Sequence, residues 1–175
     1  MSYILLTLLF ILSGFFMKYS DDLFDVNNDL AFATICGVLC AVASAVATIY
    51  DIDAAYIFIS ILIGNFLAFK VDGIHHIVTM IVFLLAVLIA GFPQLNIIVL
   101  LVCILAALSD EVGHDLISNV TKNRFLNLFF EYRFVMKVVI LILAICGIFN
   151  IWIFVCFISF EIAYLIAEII FEKLN

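Results

Sequence analysis

Ser20-Asp21-Asp22-Leu23-Phe24-Asp25-Val26-Asn27-Asn28-Asp29 follows directly on an apolar run and sets four carboxylates within nine residues of a chain that is otherwise mostly hydrocarbon. If the helix begun by that run continues through the stretch, Asp22, Asp25 and Asp29 stand at i, i+3 and i+7 and share one face. A comb of carboxylates at the mouth of a membrane helix suits a hard divalent cation, which takes oxygen ligands.

The surroundings of this stretch set the class. Of 175 residues 69% are hydrophobic and 12% charged, with a mean hydropathy of +1.40, far from the half-apolar, quarter-charged average of soluble domains. The apolar residues come in long blocks with no alternation of period two, so an all-α polytopic membrane protein is expected, not an outer-membrane barrel. The whole chain, 1–175, reads as one transmembrane domain. Its net charge of −7 is no guide to partners because the charges are segregated along the chain, and nucleic-acid binding is not supported. Cys36, Cys40, Cys103, Cys146 and Cys156 all lie in apolar runs without a CxxC pair, the pattern of small core-filling residues. Met1-Ser2-Tyr3 has no basic side chain ahead of its apolar run, which predicts a retained helix rather than a signal peptide.

Outward from the acidic stretch, seven apolar segments can be marked: 3–18, 30–50, 54–70, 74–91, 95–109, 134–150 and 151–171. A straight span needs about 20 residues. Segments one, three and five fall short, so their helices are expected to run on into the polar clusters that follow. Asp22, Asp72 and Glu111 would then sit at the membrane boundary in a recess open to water. Segment two carries Ala33, Gly37, Ala41 and Ala45 at intervals of four, a stripe that permits close helix packing. Gly147-Ile148-Phe149-Asn150 is expected to form a tight hairpin. The long connection 116–132 mixes Phe and Leu with Lys and Arg, which predicts an interfacial helix or lid.

With seven spans, every Lys and Arg (Lys18, Lys70, Lys122, Arg124, Arg133, Lys137 and Lys173) falls on one side and none on the other. The positive-inside rule makes that side cytoplasmic, with the N-terminus outside and the C-terminus inside. The cell membrane is the expected location.

The same parity collects three polar motifs on that side: Asp21–Asp29, then Lys70-Val71-Asp72-Gly73-Ile74-His75-His76, then Ser109-Asp110-Glu111-Val112-Gly113-His114-Asp115. Asp22/Asp25, Asp72/His75 and Glu111/His114 each have the three-residue spacing that aims two groups from one helical face. Carboxylates crowded at a low-dielectric boundary are costly unless a cation neutralises them. The competing reading is a solvated acidic surface at helix ends. Candidate metal ligands are Asp21, Asp22, Asp25, Asp29, Asp110, Glu111 and Asp115. Lys70, Asp72, His75 and His114 are the candidate catalytic groups, since imidazole can ligate a metal or act as a base near neutral pH. The histidines, His76 among them, also lean the site toward a softer metal such as zinc, iron or manganese. Lys70, Lys122, Arg124 and Arg133 are candidates for binding phosphate.

These motifs resemble those of the UbiA superfamily of intramembrane prenyltransferases. That family carries an N/D-D-x-x-D-x-x-x-D motif at the cytoplasmic end of one helix and a D-x-x-x-D-type motif four spans later. Asp21-Asp22-Leu-Phe-Asp25-Val-Asn-Asn-Asp29 has the first spacing, and Glu111-Val-Gly-His-Asp115, preceded by Asp110, is similar to the second with Glu in the leading place. The resemblance covers the two motifs and the helix order. It implies an all-helical fold in which both motifs hold Mg²⁺ (or Mn²⁺ or another divalent metal) on the diphosphate of an isoprenoid donor, whose chain lies in an apolar tunnel and passes to an unidentified acceptor. The chain departs from the family in having fewer than about nine helices, and no basic residues follow the first motif.

Three alternatives stand beside this reading. A CDP-alcohol phosphotransferase needs D-G-x-x-A-R, but Asp72-Gly73 continues as Ile-His-His-Ile. A divalent-cation or proton-coupled transporter would use Glu161, near the middle of the last segment, where an ionisable group is a functional candidate by default. Glu161, Tyr164 and Glu168 form a polar stripe at i, i+3 and i+7, and the competing reading for Glu161 is a protonated side chain hydrogen-bonded to a neighbour such as Asn65. A scaffold with an acidic face is the third.

Overall fold

Inside hydrocarbon, backbone N–H and C=O groups must pair within their own segment or a closed barrel, and the apolar blocks of this chain do so as helices. The computed structural model describes residues 2–120 and 124–174. Among them are eight helices and no strand: α1 (Tyr3–Asp25), α2 (Leu30–Tyr50), α3 (Ile52–Leu67), α4 (Ile74–Ala90), α5 (Ile97–Val120), α6 (Arg124–Glu131), α7 (Phe134–Ile145) and α8 (Ile151–Leu174). Tyr3–Asp25, Leu30–Tyr50, Ile97–Leu116 and Ile151–Leu174 are long and apolar enough to cross a membrane. The three others expected to span are shorter: α3 has 16 residues, α4 has 17 and α7 has 12. At 1.5 Å per residue α7 is roughly 18 Å long, well under a hydrocarbon core of about 30 Å.

The boundaries differ from expectation where local chemistry stops a helix. α1 does run into the acidic stretch, but it ends at Asp25; Asn28 takes a positive φ of 54° and Asp29 caps α2, its Oδ1 accepting from Phe32 N at 3.1 Å. The single carboxylate face of Asp22, Asp25 and Asp29 is therefore broken at its third member. α3 does not reach its cluster. It ends at Leu67, Phe69 turns through a φ of 58°, and Gly73 stands at the N-cap of α4. Asp72 thus precedes the helix that carries His75, and the two share no helical face. α5 continues through its cluster as expected. The segment marked 134–150 is helical only to Ile145, and Gly147 (φ 72°) begins the hairpin, whose Ile148 and Phe149 N–H groups both donate to Leu143 O.

Lipid tails are as apolar as leucine, so in a bilayer helices associate through close packing and polar contacts rather than through burial from water. Tight packing is visible where the residues are smallest. Ala33, Gly37, Ala41 and Ala45 are all buried along α2, which packs on α1, α3 and α4. Gly14 of α1 lies against the Phe160 carbonyl of α8, so close that a Cβ there would collide with backbone. α8 also packs on α7, α7 on α5 and α5 on α3. The sequence α2, α1, α8, α7, α5, α3 therefore closes back on α2, with α4 docked on α2. Outside the contacts the helices stay apolar; on α4, for instance, Leu84, Leu85, Leu88 and Ile89 are all exposed.

Pairing across the bundle sets the helix directions. α1 and α8 run parallel: Asn150 Nδ2 donates to Tyr3 Oη at 3.0 Å at one end, and Lys18 meets Glu168 at 3.3 Å at the other. Asn96 N donates to Tyr56 Oη at 2.6 Å near the start of both α3 and α5, which makes that pair parallel too.

Candidate metal and anion site

The end of the bundle that holds Lys18 and Glu168 opens into a cavity of about 400 Å³. All three polar motifs reach it: Asp21 and Asp25 from α1, Lys70, Asp72 and His76 from the α3–α4 connection and the start of α4, and Glu111 and His114 from α5. Lys18, Arg133 and Tyr164 complete its polar rim, and Phe58, Met80 and Phe83 give it an apolar inner wall. Asp21 and His114, far apart in the chain, are brought to one chamber by the packing of α1 on α2, of α2 on α3 and α4, and of α3 on α5.

Ion pairs organise the rim. Lys18 Nζ lies 3.0 Å from Asp22 Oδ1, one turn along α1. Lys70 pairs with Asp115 at 2.7 Å. Arg133 takes Glu111 with two nitrogens, Nε to Oε1 at 3.1 Å and Nη2 to Oε2 at 3.4 Å, the fork geometry that orients both partners. Arg133 itself has a φ of 48°, a left-handed conformation unusual for a side chain with a Cβ. Its guanidinium lies over the Tyr164 ring, 5.6 Å from the centroid. Burial disfavours its charge, but Tyr164, Glu111 and Glu161 outweigh burial and raise its pKa above the ordinary arginine value.

Eight of the residues expected at a site line this cavity: Asp21, Asp25, Lys70, Asp72, His76, Glu111, His114 and Arg133. The others are placed differently. Asp22 faces Lys18 and leaves its Oδ2 buried without a partner. Asp29 caps α2. Asp110 accepts from Val135 N at 2.9 Å and Met136 N at 2.7 Å, so its carboxylate holds the N-terminus of α7. Asp115 is the partner of Lys70. His75 is 1% exposed, behind the cavity wall. Lys122 and the Arg124 side chain lie outside the described residues.

The other contributors were only partly marked in the sequence. Lys18 had a local signal, being four residues before Asp22 on one helix. Tyr164 belonged to the expected stripe, but its place over Arg133 carries no sequence mark. Glu161 does not bond Asn65: its carboxylate pairs with Lys137 at 3.0 Å. That pair adjoins a second, smaller cavity, which shares Met17, Ile61, Asn65, Glu111 and Arg133 with the first.

Chemically, the chamber combines carboxylates able to hold a divalent cation, cations able to hold an anion, and an apolar wall beneath both. No protein-family model, curated protein or solved structure matches the chain.

Proposed function

We propose that the protein is a metal-dependent transferase that acts on a prenyl diphosphate within the membrane. The observation that supports this most is the single chamber in which Asp21, Asp25, Asp72 and Glu111 face Lys18, Lys70 and Arg133 above an apolar wall. Such a chamber fits an amphiphile with a polyanionic head. Lys70 and Arg133 would hold the diphosphate oxygens, and Phe58, Met80 and Phe83 would take the first isoprene units while keeping water from the reacting carbon. Asp21, Asp25, Asp72 and Glu111 have the oxygen donors that Mg²⁺, or Mn²⁺ in its place, requires. The bound cation would supply charge neutralisation that makes diphosphate a better leaving group. The C–O bond to diphosphate breaks and the prenyl carbon passes to a nucleophilic acceptor, with His114 at the wall to receive its proton.

In this reading all seven apolar helices cross or enter the bilayer, the N-terminus faces outward, and the basic end with its cavity is cytoplasmic in the cell membrane.

The experiment is release of diphosphate from a polyprenyl diphosphate by the purified protein in lipid, with and without Mg²⁺. Asp25→Asn and Asp72→Asn are each expected to lower turnover at least a hundredfold. Metal-independent turnover, or full activity in both variants, rejects the proposal. A second reading, cation or proton transport, is favoured by the smaller cavity, which continues the polar chamber toward the Lys137–Glu161 pair. It predicts ion flux in proteoliposomes that Glu161→Gln abolishes.

A further inference from the structure

The first turn of α4 lays two consecutive imidazoles against α1. His76 Nε2 is 3.8 Å from Asp21 Oδ1, and the His75 and His76 ring centroids are 3.9 Å apart. One ligand atom from each of Asp21, His75 and His76 lies within 4.8 Å of the other two. His75 is the informative member: it is 1% exposed, and neither ring nitrogen has a hydrogen-bond partner among the described residues. A buried imidazole normally uses at least one nitrogen, and leaving both unused costs free energy unless a ligand takes one. Phe24 covers its ring at 4.4 Å between centroids, which fixes the imidazole without offering a polar atom.

We propose that Asp21, His75 and His76 form a site for a first-row transition metal of the zinc class. Two nitrogens and one carboxylate oxygen are the donors such ions favour over the all-oxygen set of Mg²⁺. Two ligand atoms on a tetrahedral zinc, at bonds of about 2.0–2.1 Å, stand roughly 3.4 Å apart, so the Asp21–His76 separation closes by a small side-chain movement. Asp21 and His76 line the cavity and His75 does not. The metal would therefore sit in the chamber wall with its fourth position open to the contents, the arrangement of catalytic rather than structural zinc sites. The site shares Asp21 with the diphosphate reading but does not depend on it.

The test is Co²⁺ titration of the purified, chelator-stripped protein, followed by visible d–d absorption and by competition with Zn²⁺. Wild type is expected to bind Co²⁺ stoichiometrically with the intense bands of a four-coordinate ion, and Zn²⁺ to displace it. His76→Gln, at the cavity surface, and His75→Phe, which keeps an aromatic ring but no ligand atom, are each expected to weaken binding at least tenfold, while His114→Gln leaves it unchanged. Elution volume and helical circular dichroism identify any variant that has not folded, and His76→Gln then decides alone. No four-coordinate spectrum in wild type, or equal affinity in folded His76→Gln, overturns the site. A missing spectrum with intact Mg²⁺-dependent diphosphate release overturns only this site; a normal spectrum without release overturns only the transferase.

Discussion

The two ends of the bundle use polar residues in opposite ways. At the end where α1 and α8 begin, side chains close the backbone. Asp51 Oδ1 accepts from Asp53 N at 3.1 Å and Ala54 N at 3.0 Å, Asp53 Oδ2 accepts from Asn150 N at 2.7 Å, and Asn96 Oδ1 accepts from Ile98 N at 2.9 Å. Each is a short side chain bonded to a nearby or facing N–H, which satisfies the orphan donors of helix starts. At the other end, long side chains pair with one another around a void; among the described residues Asp22 Oδ2 and both His75 nitrogens are left over there, against Thr48 Oγ1 at the first end. The first end spends its polar groups on the fold. The second turns Asp21, Asp25, Asp72 and His76 toward a cavity, which is what a ligand site needs and a stable apo fold does not.

Three substitutions test this contrast. The largest effect on stability belongs to the pair between the two ends. Lys137→Met removes the direct partner of Glu161 in α8, and a loss of about 3 kcal/mol is expected from breaking this largely buried pair. Thermal or denaturant unfolding in detergent measures it, and adding Glu161→Met is expected to restore most of the loss, since two apolar residues leave no unpaired charge. Next comes the capping end. Asp53→Ala leaves the Asn150 N–H without its acceptor and is expected to cost about 1–3 kcal/mol with no effect on binding of inorganic diphosphate. The smallest stability effect is expected at the cavity. Lys70 and Asp115 have side chains 38% and 50% exposed, so Lys70→Ala should change stability by about 0–1 kcal/mol. Diphosphate affinity, read by calorimetry, is expected to fall at least fivefold. If Lys70→Ala destabilised the fold as much as Asp53→Ala and left binding intact, the distinction between the two ends would collapse.

Much of the site could be seen in the sequence because its motifs are local. Glu111 and His114 both reach the cavity from α5, since three-residue spacing on a helix determines a shared face whatever the surroundings. The same rule misled for Asp72 and His75. α3 stops at Leu67, and the turn at Phe69 and Gly73 separates the carboxylate from the helix. Asp29 and Asp110 have the composition of metal ligands but are taken by helix N-termini, Asp29 on its own helix and Asp110 on one that begins more than twenty residues later. The first could be suspected from sequence, because Asp is a favoured N-cap; the second could not. For Glu161 the sequence indicated an unusual intramembrane carboxylate, but its partner Lys137 sits on a different helix, and only packing of α7 on α8 brings them together.

By itself the sequence determined that the chain is helical and suited to a membrane, because the length and apolar character of its blocks leave few ways to satisfy the backbone. It also determined which residues could meet, since the short connections alternate helix direction and send the three polar motifs toward one end. Tertiary structure decided which of them do meet. The close approach of α1 to α8 and of α4 to α2, and the cap that consumes Asp110, depend on contacts between residues far apart in the chain. Those contacts have no local periodicity to announce them. They leave Asp21 beside His75 and His76, a neighbourhood that the spacing of neither segment predicts.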